Sequence, residues 1–413
     1  MKTELLLPAG SLDRLKTAFL YGADAVYCGL PSVSLRAKSL FTAEDLKTGI
    51  DYAHDLGKKV YLTLNLFSHN IDVERLEYAV KLLKELKPDG VIVADPGVFD
   101  MVGERCPELP RHISTQANVC SYLTVNYWKK QGAALCVLGR EVPFKEMLEI
   151  RQKCPDIRLE VFIHGAMCVS YSGRCLLSNF MTGRSANKGN CAHSCRWKYK
   201  LYLEEQERPN ELMEISEDEH GTYIMNSRDL CLMPRLNELL SVGLDSFKIE
   251  GRNKSEYYVA ISARAYRKAI DDFEKNPDNW TPDIYLHELS TLQNRGYTLG
   301  FFDGNAGPES LNYEISASHG DWRYAGLIKG HTDAGLIFEI KHKINKSDEI
   351  EFLSPYQFEP IKIKINEMFD ERNGKALDTI SSGYLGQAVV IPVSDDVKSL
   401  LPPLSVARKY IRE

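Results

Sequence analysis

The sequence predicts an α/β protein: a TIM-like (β/α) barrel with a Cys-rich insertion and a small C-terminal antiparallel β-barrel domain. Three observations predict it. Seven short β-branched runs alternate with six amphipathic helical runs over the first 165 residues. The rhythm then breaks at a segment rich in glycine and cysteine, and from about Asp321 the chain switches to period-two alternation. Repeated βα units require a parallel sheet, and this many favour closure into a barrel. The expected boundaries are 1–276 for the barrel, with the insertion at 165–200, then 277–320 for a linker or helical connection, and 321–413 for the β domain.

The elements follow in order. Strands are expected at 4–7, 25–28, 59–65, 91–95, 112–116, 134–138 and 158–164. Helices are expected at 11–21, capped by Ser11, then 43–56, 73–86, after Pro96, 122–131 and 143–153. Beyond the insertion, 199–203 is a possible strand and the acidic run 209–220 a loop. The βα rhythm resumes with a strand at 223–226, a helix at 232–240, a strand at 246–250 and a long helix at 256–273. Alternating runs at 325–328, 336–340, 361–365 and 388–393 predict the antiparallel domain.

Composition bounds the class. The 413 residues are 44% hydrophobic and 26% charged, which suits a globular chain with a large core and no need of disulfide staples. No run approaches the ~18 apolar residues of a membrane helix, and the three leucines before Pro8 are too few for a signal-peptide core. A cytoplasmic location is therefore expected, where ten cysteines are read as thiols, metal ligands or redox groups. The net charge of −6 excludes a globally basic nucleic-acid binder. One local stretch differs. Residues 161–203 contain no Asp or Glu but hold Arg174, Arg184, Lys188, Arg196, Lys198 and Lys200, interleaved with Tyr171, Phe180, Trp197 and Tyr199. A solvated basic loop would look similar, but the cysteines sit in the same segment.

Active sites of such barrels lie at the C-terminal ends of the strands. Asn65, Asp95, Gln116, Arg140 with Glu141, His164, Asn226 with Ser227, and Lys248, Glu250 and Arg252 collect there. Period-two geometry puts Glu160, Phe162 and His164 on one face, and Lys248 with Glu250 on one face. Singly, each has a structural reading: an ion pair between Lys248 and Glu250, a core histidine at His164, loop caps at Asn65 and Gln116. As a ring they must pair with each other or bind something.

Cys168, Cys175, Cys191 and Cys195 are spaced C-x6-C-x15-C-x3-C, with Gly165, Gly173, Gly183 and Gly189 interspersed. Four thiolates are the expected ligands of a [4Fe–4S] cluster, and an anionic cluster suits a carboxylate-free segment. Zinc ranks second, because paired C-x2-4-C knuckles are lacking except at Cys191 and Cys195. A redox or catalytic dithiol ranks third. Cys231 is a fifth candidate ligand. Cys28, Cys106, Cys120, Cys136 and Cys154 read as small apolar or surface residues.

The run Glu160-Val-Phe-Ile-His-Gly-Ala-Met-Cys168-Val-Ser-Tyr-Ser-Gly-Arg-Cys175-Leu-Leu-Ser178 resembles the signature of the peptidase U32 family. Glu4-Leu-Leu-Leu-Pro-Ala-Gly10, Gly22-Ala-Asp-Ala-Val-Tyr27, Glu217-Asp-Glu-His-Gly-Thr-Tyr-Ile-Met-Asn-Ser227 and Lys248-Ile-Glu-Gly-Arg252 extend the resemblance over essentially the whole chain. The 217–227 run and the C-terminal β domain point to a tRNA-modifying branch. That resemblance implies oxygen-independent hydroxylation of the wobble uridine of certain tRNAs to 5-hydroxyuridine, with prephenate as hydroxyl source and a [4Fe–4S] cluster as cofactor. Related branches hydroxylate ribosomal RNA or a quinone precursor, and some members were described as collagenases. The chain has no G-x-S-x-G elbow and no H-E-x-x-H helix, which weighs against proteolysis.

Under this reading Cys168, Cys175, Cys191 and Cys195 hold the cluster, with the choice between Cys195 and Cys231 open. Arg140, Arg252 and Lys248 meet donor carboxylates, with Asn65 and Gln116 also contacting substrate. His164, Glu250 and Lys248 are the catalytic candidates. Arg174, Arg184, Lys188, Arg196 and Lys198 meet the RNA, entered at its anticodon loop. A protease and a non-catalytic RNA-binding factor remain the rivals.

Overall fold

The computed structural model describes residues 3–30, 41–167, 175–184, 186, 190–197, 201–203, 213–215, 227–304, 320–381 and 387–411. Cys168, Arg174, Lys188 and Lys198, and the strand expected at 223–226, lie outside the described residues.

Eight parallel strands close into a barrel. They are β1 (Glu4–Pro8), β2 (Ala25–Gly29), β3 (Lys59–Leu64), β4 (Gly90–Val93), β5 (Arg111–Ile113), β6 (Leu135–Val137), β7 (Arg158–Ala166) and, after two short strands and a third discussed below, β11 (Ser246–Ile249). β11 closes the ring: Phe247 pairs with Val161 on one side and with Leu5 on the other. β1, β2 and β4 are buried at every position, as expected of parallel strands covered on both faces. The helices α1 (Leu12–Leu20), α2 (Ala43–Asp55), α3 (Val73–Leu86), α4 (Pro96–Arg105), α5 (Tyr122–Lys130) and α6 (Phe144–Lys153) form the outer layer. Local chemistry starts several of them. Ser11 accepts from Arg14 N, Thr42 and Asp45 form a reciprocal capping box, and Asp95 accepts from Gly97 N and Val98 N ahead of α4.

After β7 come the short helix α7 (Leu177–Thr182), a 3-10 turn at Ser194–Arg196, and an antiparallel pair, β8 (Leu201–Leu203) with β9 (Met213–Ile215). Part of the acidic run expected as a loop is thus a strand. β10 (Asp229–Cys231) then runs antiparallel to the end of β7, Asp229 opposite Ala166 and Cys231 opposite His164. α8 (Leu236–Val242), β11 and the long α9 (Glu256–Lys275) complete the barrel layer. The stretch expected as a connection packs back onto it. α10 (Asp283–Ser290) lies against α9, and β12 (Tyr297–Thr298) pairs with β10.

The C-terminal part is a seven-stranded antiparallel sheet curled into a half-barrel. Its strands are β13 (Trp322–Thr332), β14 (Gly335–Ile340), β16 (Glu349–Phe352), β17 (Ile361–Lys364), β18 (Phe369–Asp370), β20 (Ala388–Ile391) and β21 (Val406–Tyr410), in the order β17-β16-β21-β13-β14-β20-β18. β15 (Ile344–Asn345) and β19 (Thr379–Ile380) form a separate pair, and α11 (Asp395–Leu400) precedes β21. Phe338, Phe352, Ile350 and Val389 fill its own core. It docks on the barrel through a stack of Tyr257 on Tyr324 at 5.6 Å and through Tyr21, whose hydroxyl donates to Leu353 O at 2.6 Å and accepts from Val406 N at 3.0 Å. A buried ionic chain runs between the two: Glu288 meets Arg264 at 3.0 Å and Arg408 at 2.9 Å, and Arg408 meets Glu351 at 2.8 Å.

Among the described residues no helix is long and apolar enough to cross a membrane.

Candidate active site

The barrel interior is layered. At the floor, where the strands begin, buried Glu4 accepts from the Tyr61 hydroxyl at 2.9 Å and meets Arg158 at 3.3 Å and Lys59 at 3.4 Å. Leu6, Ala25, Tyr27, Tyr61 and Ile92 form an apolar cluster above it. His112 packs its ring 4.7 Å from Tyr61. Burial, with Arg158 and Lys248 adding, lowers its pKa to about 3 and keeps the ring neutral.

Above this plug the groups become charged. Lys248 Nζ donates to Glu160 at 2.8 Å, and Ser246 donates to the other carboxylate oxygen at 2.8 Å. Both ions are buried, 5% and 1% exposed at the side chain. The partner of Lys248 is therefore Glu160 across the sheet, not Glu250 on its own strand. Lys248 also lies 4.6 Å from the Tyr27 ring and 5.5 Å from Phe162. Burial lowers its pKa, opposed by Glu160 and reinforced by Arg252 and Arg140.

The rim carries the other expected residues. Asn65 donates to Gln116 at 2.6 Å. Gln116 sits in a 3-10 turn, Thr115–Ala117, because β5 ends three residues earlier than expected and Ser114 caps that turn. Arg252 donates to Thr63 Oγ1 at 2.7 Å. Arg140 lies 4.0 Å over the Phe162 ring and donates to Ala166 O at 2.8 Å. Arg140 Nε and Asn65 Oδ1 are buried with no hydrogen-bond partner among the described residues.

His164 is placed differently from the sequence expectation. The register slips between Lys248 and Ile249, so that Phe162 faces Lys248 but His164 faces Ile249. That extra residue breaks the period-two face, as a bulge does. Glu160 and Phe162 stay with Lys248, while the His164 ring packs against Tyr258, Tyr266 and Tyr297 at 5.4 to 5.9 Å. His164 is 2% exposed, and burial lowers its pKa to about 3. Its Nδ1 lies 3.4 Å from the Tyr266 hydroxyl. Glu250 is half-buried at the end of β11, its N–H donating to His164 O at 2.9 Å and its carbonyl accepting from Tyr258 at 2.7 Å.

One charged residue, Arg295, escaped the sequence reading. Arg295, 6% exposed, forms an ion pair with Asp229 and donates from Nε to Ser227 O at 3.0 Å. Burial lowers its pKa, with Arg196 adding to the shift and Asp229, Cys195 and Glu250 opposing it. An isolated arginine in a stretch read as a linker gave no periodic or motif signal.

The thiol-bearing segment forms a small lobe. Ser178 of α7 accepts from Ala192 N at 2.8 Å and donates to Arg184 O at 2.8 Å, tying the Cys175 end to the Cys191 end. Arg196 donates to Met167 O at 3.2 Å, so this expected RNA contact also anchors the lobe to the end of β7. Arg184 is exposed and donates to Asn190 and to Cys191 O. Cys175, Cys191 and Cys195 are half-buried, whereas Cys231 lies in β10, 2% exposed, with its sulfur 3.7 Å from the Tyr266 hydroxyl. Burial pushes the Cys231 thiol up to about 11. For a cluster held by thiolates, the donor chemistry of the lobe fits: soft, half-buried sulfurs, no carboxylate in the segment, and Arg196 and Arg295 beside it. Among the described residues no three Cys, His, Asp or Glu side chains converge as metal ligands; Cys168 lies outside them.

A parallel barrel that gathers polar and charged groups at the C-terminal ends of its strands has the form of a barrel enzyme. The chain belongs to peptidase family U32: the pattern of that family matches residues 10–312, and that of the peptidase family U32 C-terminal domain matches 320–401. The tRNA hydroxylation protein P of Haemophilus influenzae is 37% identical over 441 residues, covering 96% of this chain and 94% of that protein. That of Escherichia coli (strain K12) is 38% identical over 437 residues, covering 96% and 95%. A protein named collagenase from Porphyromonas gingivalis is 29% identical over 411 residues, covering 96% and 95%.

Proposed function

We propose that this chain is a tRNA-modifying enzyme that hydroxylates the wobble uridine to 5-hydroxyuridine without molecular oxygen, taking the hydroxyl from prephenate and using a [4Fe–4S] cluster. The observation that carries it is similarity over nearly the whole chain to proteins named for tRNA hydroxylation. The mouth supports a dicarboxylate donor. Arg140 and Arg252 are set to pair with carboxylates, Lys248 adds charge below them, and Asn65 with Gln116 offers amides for orientation. Glu250 is the group at the rim able to accept a proton. His164 acts through backbone, holding Glu250 N by its carbonyl. Cys168, Cys175, Cys191 and Cys195 would hold the cluster, which would supply one-electron chemistry or a Lewis-acidic iron. An unpaired base of the anticodon loop is accessible to such a mouth without melting a duplex.

The collagenase relative raises proteolysis as a second reading. It needs an activated nucleophile. The thiol across the strand pair from His164, Cys231, is buried and held protonated, and the His164 ring is enclosed by tyrosines.

The test is mass spectrometry of tRNA nucleosides from a deletion strain lacking other enzymes of this activity. Loss of 5-hydroxyuridine, restored by the wild type and not by Cys175→Ala, is expected. Unchanged 5-hydroxyuridine with altered ribosomal RNA or quinone would move the substrate elsewhere. Iron and sulfide analysis of oxygen-protected protein checks the cofactor, and single Cys195→Ser and Cys231→Ser variants show which sulfur the iron content requires.

A further inference from the structure

Helix α7 buries Ser178 and leaves its apolar residues as open to water as its polar ones. An amphipathic helix on a globular protein buries its apolar side and shows its polar side to water. α7 buries Ser178, 2% exposed, and holds it with two hydrogen bonds, while Phe180 is 86% exposed and Met181 40% exposed. Leu176, just before the helix, is 68% exposed. The 3-10 turn Ser194–Arg196 packs against α7 and delivers Trp197, 41% exposed. Single exposed apolar residues are ordinary, but a set gathered on one short lobe marks a contact surface. Ser178 holds the helix in this orientation, because its hydroxyl accepts from Ala192 N at the Cys191 end and donates to the Arg184 carbonyl.

The chemistry around the ridge selects its occupant. Residues 161–203 contain no carboxylate and six Lys or Arg, of which Arg184 and Arg196 lie among the described residues, so the segment is locally basic and suits a polyanion. A ligand that offers both negative charge and flat apolar faces is single-stranded nucleic acid. We propose that Phe180 and Trp197, flanked by Leu176 and Met181, form the platform on which unpaired bases of an RNA loop stack, with Arg184 meeting the phosphates. The inference rests on the tRNA reading above and names the residues that hold the loop beside the mouth.

The test is equilibrium binding of the full-length protein to an unmodified tRNA transcript across a salt series. Phe180→Ala and Trp197→Ala are each expected to weaken binding about 10-fold, as loss of one stacked base does, with the salt dependence unchanged. Phe180→Tyr keeps a stacking face and restores affinity. Arg184→Ala instead lowers the salt slope by about one ion. Wild-type affinity in the Phe180→Ala, Trp197→Ala double variant overturns the platform, as does a changed oligomeric state with unchanged tRNA affinity, which would make the ridge an interface between copies. Failure of the wild type to bind tRNA at any salt overturns the tRNA reading itself.

Discussion

His112 shows how a single side chain can record the dryness of the barrel. Its folded pKa of about 3 lies below the ordinary 6.5, because burial and the nearby cations disfavour the charged ring. The unfolded chain therefore binds a proton that the folded chain refuses. Stability from this group is complete above about pH 6.5 and declines as pH falls toward 3, by roughly 1.4 kcal/mol per pH unit. In urea unfolding at a series of pH values, His112→Phe should flatten that decline relative to the wild type. Equal slopes would mean that the ring titrates normally in the fold. At this scale the sequence placed Glu160 and Phe162 on a shared face, misplaced His164, and was silent about partners. Lys248 and Glu250 were legible as polar residues at a strand end. That Lys248 pairs with Glu160 depends on the β7–β11 register, which no single-strand pattern contains. Arg295 was invisible for a similar reason: its partner Asp229 is 66 positions away.

Among the elements, β7 does the most work for the site. It pairs with β6, β11 and β10, and its slip moves His164 out of line with Glu160 and Phe162. Gly165 follows at φ +111, and a methyl group there would stand 2.7 Å from Glu250 O and 2.8 Å from Glu250 Cβ. Gly165→Ala should therefore cost about 2 kcal/mol or more and reduce activity further by displacing Glu250. Gly183, also at positive φ, has nothing within 4 Å, so Gly183→Ala should cost only about 1 kcal/mol. Chemical denaturation of the two variants checks the difference; similar losses would deny the close approach at Gly165. The alternating βα rhythm was readable because the strands are short and apolar and several of the helices between them open on a side-chain cap. The slip in β7, the antiparallel β10 and the two-residue β12 were not, since each is defined by what it pairs with.

For the whole molecule, the junction between barrel and half-barrel decides cooperativity. Glu288 sits between Arg264 and Arg408 with all three side chains 4–5% exposed. Glu288→Gln takes from Arg264 its counter-charge among the described residues and leaves Arg408 with Glu351 alone, a change that typically costs about 3–5 kcal/mol. Calorimetry should show one transition in the wild type splitting into two, the half-barrel melting apart from the barrel. A single transition at the wild-type temperature would show that the ionic chain contributes little. The two-part architecture was legible from the change of hydrophobic period near Asp321. The docking was not, because Tyr21, Glu288 and Arg408 come from distant parts of the chain and each reads locally as an ordinary surface residue.

The floor built from Glu4, Tyr61, Arg158 and Lys59 has a kinetic meaning. A vessel sealed at its base has one door. On the proposed reading, a small donor would have to enter before a tRNA covered the opening, and its remnant would leave only after that cover lifted. Ordered addition, donor first, is then the kinetic pattern the proposal predicts, and it needs no moving part.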